Sequence, residues 1–385
     1  MPKQNDLSIA RRRIFDAISE KANNVETITS HRFNLVSANL FRFLPHLGFD
    51  LHKPIYAEVM LHNQLTHFEQ TQPDILHSIT VENLSQELLQ LMRKTPCILS
   101  SFHLGNYRLM NLFLTQNRIP YTIVIPQESM QKEGNIFKDL YQRMCSSASS
   151  DPIRFIEMES PVLSLKMMRE LKQGRNLFIY FDGYRGAGNM QDNKRYGQDG
   201  QINFLGQPLL ARVGVAFLAQ MTGVPLITGI SYRKSLDDLR LKFFDPVFPD
   251  NKLTREQFAH YTTQTLYERF SSDLTVYPGQ WEAWLYLHRS LPCHELHDSD
   301  PSTSNKAKKI DHSGAFKINH NKFGIFKIQQ NAYLFNKRTY TTYPIDDEIF
   351  SLLAAATCQS ISPGSYRNSI IPSLMKNDVI IPSAA

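Results

Sequence analysis

The chain has 385 residues, 42% of them apolar, and its 42 basic and 36 acidic side chains leave a formal charge of +6. That length and composition allow one large domain plus a small second one and exclude a fibrous or wholly disordered chain. The basic excess is mild and dispersed: too weak for a nucleic-acid binder, it suits anionic partners such as phosphate head groups, acyl carriers or a membrane surface.

The N-terminus, "MPKQNDLSIARRRIFDAISEK", alternates charged and apolar residues and has no apolar core of the signal-peptide type. Cys97, Cys145, Cys293 and Cys358 lie far apart and form no CxxC pair, so they suggest neither a zinc ribbon nor a disulfide framework and fit a reducing cytoplasm. The run Arg11, Arg12, Arg13 and the group Lys306, Lys308, Lys309 read as solvated surface. Residues 1–92 form a helical region, with apolar positions at helical spacing in "NLSQELLQLMRK" and less cleanly in "LSIARRRIFDAISEK". Within it "SANLFRFLPHLGFD" reads as core packing rather than as an amphipathic segment on lipid.

Residues 93–290 change pattern. "CILSSF", "YTIVIP", "NLFIYF" and "PLITGISY" are short, β-branched or aromatic, and bounded by turn residues. Between them "NYRLMNLFLTQN", "NIFKDLYQRMCS", "VLSLKMMRELKQG" and "LLARVGVAFLAQMTG" carry helix periodicity. Such alternation predicts an α/β fold, a mostly parallel sheet flanked by helices, with sites where strands end and helices begin. The uncharged stretch 213–230 approaches membrane-span length, but Gly223 and Pro225 break it into a buried helix and a buried strand.

Residues 291–312 turn polar and read as a linker. Cys293, His294, His297 and Asp298 lie there without a second ligand cluster, so no metal site is expected. Residues 313–358 form a small strand-strand-helix module in which Asp346 and Asp347 open the helix. From 359 to 385 the composition suggests an irregular tail.

Three strings carry chemistry. In "SSFHLGNYRLMN" His103 follows a strand at the carboxyl edge of the sheet, where a neutral imidazole can take a proton from a hydroxyl or amine. In "IYFDGYRGAGN" a second strand ends in Asp182, Gly183 and Arg185, an acid, a flexible turn and a planar fork suited to phosphate or carboxylate. The glycine spacing there is not that of a dinucleotide fingerprint. In "YPGQWEAWLYLHR" the two tryptophans of the chain, Trp281 and Trp284, stand three apart and on a helix would anchor the edge of the domain.

Together these strings resemble the lysophospholipid acyltransferase superfamily, in the branch of lipid A late acyltransferases and phosphatidylinositol mannoside acyltransferases. "HLGNYR" is similar to the branch's HxGNWE, "FDGYRG" to the PEGTR block, "FLAQMTGVPLITGISYR" to the later block that leads to Gly-Val-Pro, and "PGQWEAWLYLHR" to the closing PEQWxWxHRR. The resemblance covers about residues 90–290. It implies acyl transfer from a coenzyme A or acyl-carrier-protein thioester to a hydroxyl or amine of a lipid-like or natural-product acceptor, with His103 as general base. Arg185 would contact an anionic group of the substrate, Asn106 and Gly183 would line the site, and no metal or organic cofactor is implied.

One motif position departs. Arg108 stands where the branch has its acid, and no Asp or Glu occurs between His103 and Glu128. Arginine has only donors, so it cannot accept the proton of the far ring nitrogen. A nearby cation would also oppose the charge the base develops. Asp182 is the expected replacement, and Arg108 becomes either a substrate contact or the mark of a catalytically impaired lipid-, acyl-carrier- or peptide-binding protein. Residues 320–356 resemble, more weakly, the peptide-chaperone domains of ribosomal natural-product pathways, which admits a peptide acceptor. The expected setting is cytoplasmic, with peripheral contact at the inner face of a membrane.

Overall fold

In a computed structural model of the protein, the described residues are 4–144, 153–183, 199–292, 314–362 and 370–383. They form two compact units, each drawn from two stretches of chain: Met1–Asp16 with Glu58–Ala283, and Ala17–Ala57 with Trp284–Ala385.

The first unit is organised by a sheet. Its strands are β1 Thr80–Glu82, β2 Ile98–Ser101, β3 Tyr121–Ile125, β4 Arg154–Glu157, β5 Asn176–Tyr180, a separate hairpin of β6 Asp199–Phe204 and β7 Gln207–Arg212, then β8 Leu226–Arg233 and β9 Leu239–Phe243. The seven-stranded sheet has the order β1-β9-β8-β2-β5-β3-β4. All its pairings are parallel except β8 with β9, which a short turn joins. The central strands are buried along their whole length, as "ILSS" and "YTIVI" require when helices cover both faces. Helices Gln86–Lys94, Leu109–Gln116, Gln127–Met144, Leu163–Lys172, Gly214–Thr222 and Arg255–Val276 flank the sheet. Leu99, Met110, Phe113, Ile123, Phe178 and Phe243 lie in the shared core.

Two segments differ from their sequence reading. "LLAR", taken as the start of a helix, is instead part of β7, because Leu205 and Gly206 both adopt positive φ, +51° and +77°, and close a two-residue hairpin turn. Residues 80–82, in the region read as helical, form β1 at the edge of the sheet beside β9. The uncharged stretch resolves as expected into helix Gly214–Thr222, a left-handed Gly223 at φ +70°, and β8. Among the described residues no helix is long and apolar enough to cross a membrane.

In the second unit helix His31–Phe43 is capped by Ser30, and Leu40, Phe43 and Leu44 are buried, so this segment is core. Strand β10 Phe316–Ile318 is followed by β11 Phe323–Ile328, β12 Asn331–Asn336 and β13 Thr342–Ile345, which form an antiparallel three-stranded sheet. Asp346 caps helix Asp347–Cys358 through the Ile349 amide. The tail is more ordered than its composition suggests: helix Ile371–Lys376 and β14 Ile380–Pro382 bury Ile371, Leu374, Met375 and Ile380, and β14 pairs with β10. Cys293, His294, His297, Asp298 and nearly all of the 291–312 linker lie outside the described residues, as does Cys145. No cluster of three metal-ligating side chains occurs among the described residues.

Candidate active site

Strands β2 and β5 are parallel neighbours whose register pairs Ser101 with Tyr180. Carried two residues past the strand ends, the same offset sets His103 opposite Asp182. Phe102 and Phe181, just before them, are buried and stack on each other, and Phe102 also stacks on Phe270 at 4.0 Å, so both strand ends are held from below.

The two side chains meet. His103 Nδ1 lies 2.7 Å from Asp182 Oδ1. Asp182 Oδ2 accepts the His103 backbone N–H at 2.8 Å and the Trp281 indole N–H at 2.6 Å. The carboxylate is 3% exposed and the imidazole 16%, so Asp182 is sealed while the His103 ring stays reachable. With the Nδ1 proton held by Asp182, Nε2 carries the lone pair, and among the described residues it makes no hydrogen bond. Burial disfavours the imidazolium, but the charge and hydrogen bond of Asp182, with the charge of Glu282, outweigh burial and the opposing Arg108 and hold the His103 pKa above its ordinary value. Tyr180 stacks on the ring at 4.4 Å and Tyr107 meets it edge-on at 4.6 Å.

The "HLGN" turn is fixed from three sides. Gly105 adopts φ +54°, and a Cβ there would lie 2.7 Å from the Ser231 carbonyl of β8, so glycine is required. Its N–H donates to the Gln280 carbonyl and its own carbonyl accepts from Thr66. Asn106, expected at the substrate, is buried and donates instead to Glu69 Oε2 at 2.8 Å. Glu69, fully buried, also binds Arg11 and Arg233, and the Arg233 backbone is clamped by Gln280.

Gly183 lies beside the base, with a Cβ placed there 4.0 Å from His103 Cε1. Arg108 precedes helix Leu109–Gln116 and is 9% exposed, its guanidinium over the rings of Phe137 at 4.9 Å and Tyr107 at 5.2 Å. Arg185 lies outside the described residues. The structure therefore brings His103, Asp182 and Gly183 together, turns Asn106 into a buried ion network and beds Arg108 on aromatic rings.

Trp281 was legible only as an anchor. It sits between two 3₁₀ turns, Pro278–Gln280 and Glu282–Leu285, rather than on a helix, and forms a bridge with Leu104 that aims its indole at Asp182. The signal was the two tryptophans within a string resembling the branch's closing block. Trp281→Phe removes one of three donors to Asp182 and concentrates charge on the carboxylate. Imidazole NMR across pH is expected to show the His103 pKa moving further up; an unchanged or lowered value would sink that role for the indole.

No family model and no curated protein matches the chain. Among solved structures, the crystal structure of the 1-acyl-sn-glycerophosphate (LPA) acyltransferase, PlsC, from Thermotoga maritima is similar at 14% identity with a TM-score of 0.35, covering 70% of this chain and 96% of that one.

Proposed function

We propose that the chain is an acyltransferase that moves an acyl group from an acyl-coenzyme A or acyl-carrier-protein thioester to a hydroxyl or amine. The reading is carried by one observation: a carboxylate at 2.7 Å orients a reachable imidazole at the carboxyl edge of a parallel sheet, despite the arginine at the motif position. It is supported by the resemblance of the four strings to the lysophospholipid acyltransferase superfamily.

In this reading His103 Nε2 takes the proton as the acceptor oxygen or nitrogen attacks the thioester carbonyl carbon. Asp182 steadies the imidazolium that forms. The tetrahedral intermediate collapses with C–S cleavage, and the imidazolium returns its proton to the departing thiolate. Arg185 contacts an anionic group of the substrate, the acceptor is lipid-like or a natural product, any membrane contact is peripheral, and the transfer uses no metal or organic cofactor.

The test is thioester consumption by the purified protein and by His103→Ala. Consumption is expected to fall to the uncatalysed rate in the variant. Equal rates would end the enzymatic reading and leave a binding protein on the same fold.

A further inference from the structure

Helix Leu163–Lys172 joins β4, the outermost strand of the sheet, to β5, so its first turn lies at the carboxyl edge, the edge that carries His103 and Asp182. On its inner side Leu171 is buried and Leu163 and Met167 are half-buried. The one acid of the helix, Glu170, is also engaged there: it accepts from Thr122 Oγ1 at 2.7 Å and pairs with Arg154 and Arg175.

The outer side is of a different kind. At 3.6 residues per turn, Val162, Leu165, Lys166, Arg169 and Lys172 share one arc of about 120°. All five are exposed, Val162 at 46% and Leu165 at 62%. No acid of the helix stands on that arc, and among the described residues none of its three cations pairs with a carboxylate. A lone exposed leucine needs no explanation, and a charged stripe is ordinarily a solvated face. Here the two coincide at a cost to the helix. Lys166, Arg169 and Lys172 follow one another at three-residue spacing, where like charges repel, and the apolar pair gains nothing from water.

Such a face suits a partner that is anionic at its surface and apolar just beneath, as a bilayer is. A specific protein interface needs roughly 20–30 residues a side, and this stripe offers five. A bilayer demands no matching shape. We propose that this face is a docking surface for a bilayer containing anionic lipid, with Val162 and Leu165 entering between the head groups and Lys166, Arg169 and Lys172 lying against their phosphates. A lipid acceptor then meets the protein at the edge that bears His103. The word acceptor rests on the acyltransferase reading; the lipid contact does not.

The experiment measures binding rather than turnover. The full-length protein is sedimented with vesicles of phosphatidylcholine alone and with vesicles containing about a quarter phosphatidylglycerol. Wild type is expected to bind the anionic vesicles and to release them as salt rises from about 0.1 M to about 0.5 M. The triple variant Lys166→Gln, Arg169→Gln, Lys172→Gln is expected to bind about 100-fold more weakly, and Leu165→Ser about tenfold. A second triple variant, Lys94→Gln, Lys252→Gln, Lys376→Gln, removes the same charge from exposed positions elsewhere and is expected to bind within about threefold of wild type. Equal losses in the two triple variants overturn the proposal, because net charge alone would then account for binding. Absence of binding by wild type overturns it too, as does undiminished vesicle binding by the first triple variant. If that variant instead loses binding to an acyl carrier protein, the face belongs to an acidic protein. Should His103→Ala consume thioester as fast as wild type, the acyltransferase reading fails while the vesicle result stands or falls by itself.

Discussion

Asp182→Asn is expected to lower turnover by about 10⁴ while leaving the fold intact, an effect of the size seen when the orienting carboxylate of a catalytic triad is neutralised. The cause is a forced tautomer. An asparagine here must keep its carbonyl oxygen on the side where the His103 backbone N–H and the Trp281 indole N–H converge, because an amide NH₂ would face two donors. Its NH₂ then points at His103 Nδ1, which can only accept. The ring proton moves to Nε2, the atom that must be bare to act as base. Turnover within tenfold of wild type would show that the dyad does not carry the reaction.

The same contact sets the pH dependence. In the acyltransferase reading the base works only when neutral, so a His103 pKa held above its ordinary 6.5 places the acid limb of kcat/KM above that value. In Asp182→Asn the carboxylate's charge and hydrogen bond are gone while burial persists, so the limb shifts to lower pH even as the plateau falls. A variant whose limb does not move would mean that some other group titrates in the profile.

The parallel sheet was legible because its strands are unmistakable: "ILSS", "YTIVI" and "NLFIY" are buried on both faces and cannot alternate with polar residues. The edge was not. Thr80–Glu82 is three residues long, and its pairing with β9 is set by a neighbour some 160 residues away, which no local pattern reports. The β6–β7 hairpin was missed because Leu205 carries a positive φ that leucine does not advertise. At the site, His103 and Asp182 could each be named from a strand end, but their meeting depends on β2 lying next to β5 with one register. A one-residue slip would move every side chain of the strand to the other face. Asn106 was misplaced for a related reason. Its partner Glu69 ends the distant helix Phe49–Glu69, and the Arg11–Glu69–Arg233 network that receives it is assembled wholly from distant segments.

Lys337→Met is expected to stabilise the second unit by about 1–4 kcal/mol at neutral pH, by analogy with the range for buried ion pairs exchanged for apolar side chains of similar volume. Lys337 is 2% exposed, and its Nζ lies 4.6 Å from the Phe49 ring centre and 5.3 Å from that of Phe41. Its hydrogen bonds go to Ser37 Oγ and the His320 carbonyl, both at 2.9 Å, and no carboxylate pairs with it among the described residues. Burial drives its pKa well below 10.5, so folding must either strip a proton or bury the charge. Cation–π contact offsets part of that cost, about 2 kcal/mol where the ring is desolvated, against several kcal/mol for removing an ammonium from water. Methionine fills the same aromatic box, and Ser37 keeps its contact with His52 Nδ1. Acid should magnify the difference. Burial first, and then the charge of Lys337, press His52 down to about 4 and His320 to about 3. The unfolded chain therefore binds protons below pH 6.5 that the folded unit refuses, so stability falls as pH drops from 6.5 toward those values. Without Lys337 both histidines titrate nearer their ordinary value, and the loss becomes shallower. Hydrogen exchange of β11 and β12 amides across pH reads the effect directly. Faster exchange in Lys337→Met at neutral pH would mean that the two hydrogen bonds of the ammonium outweigh its desolvation.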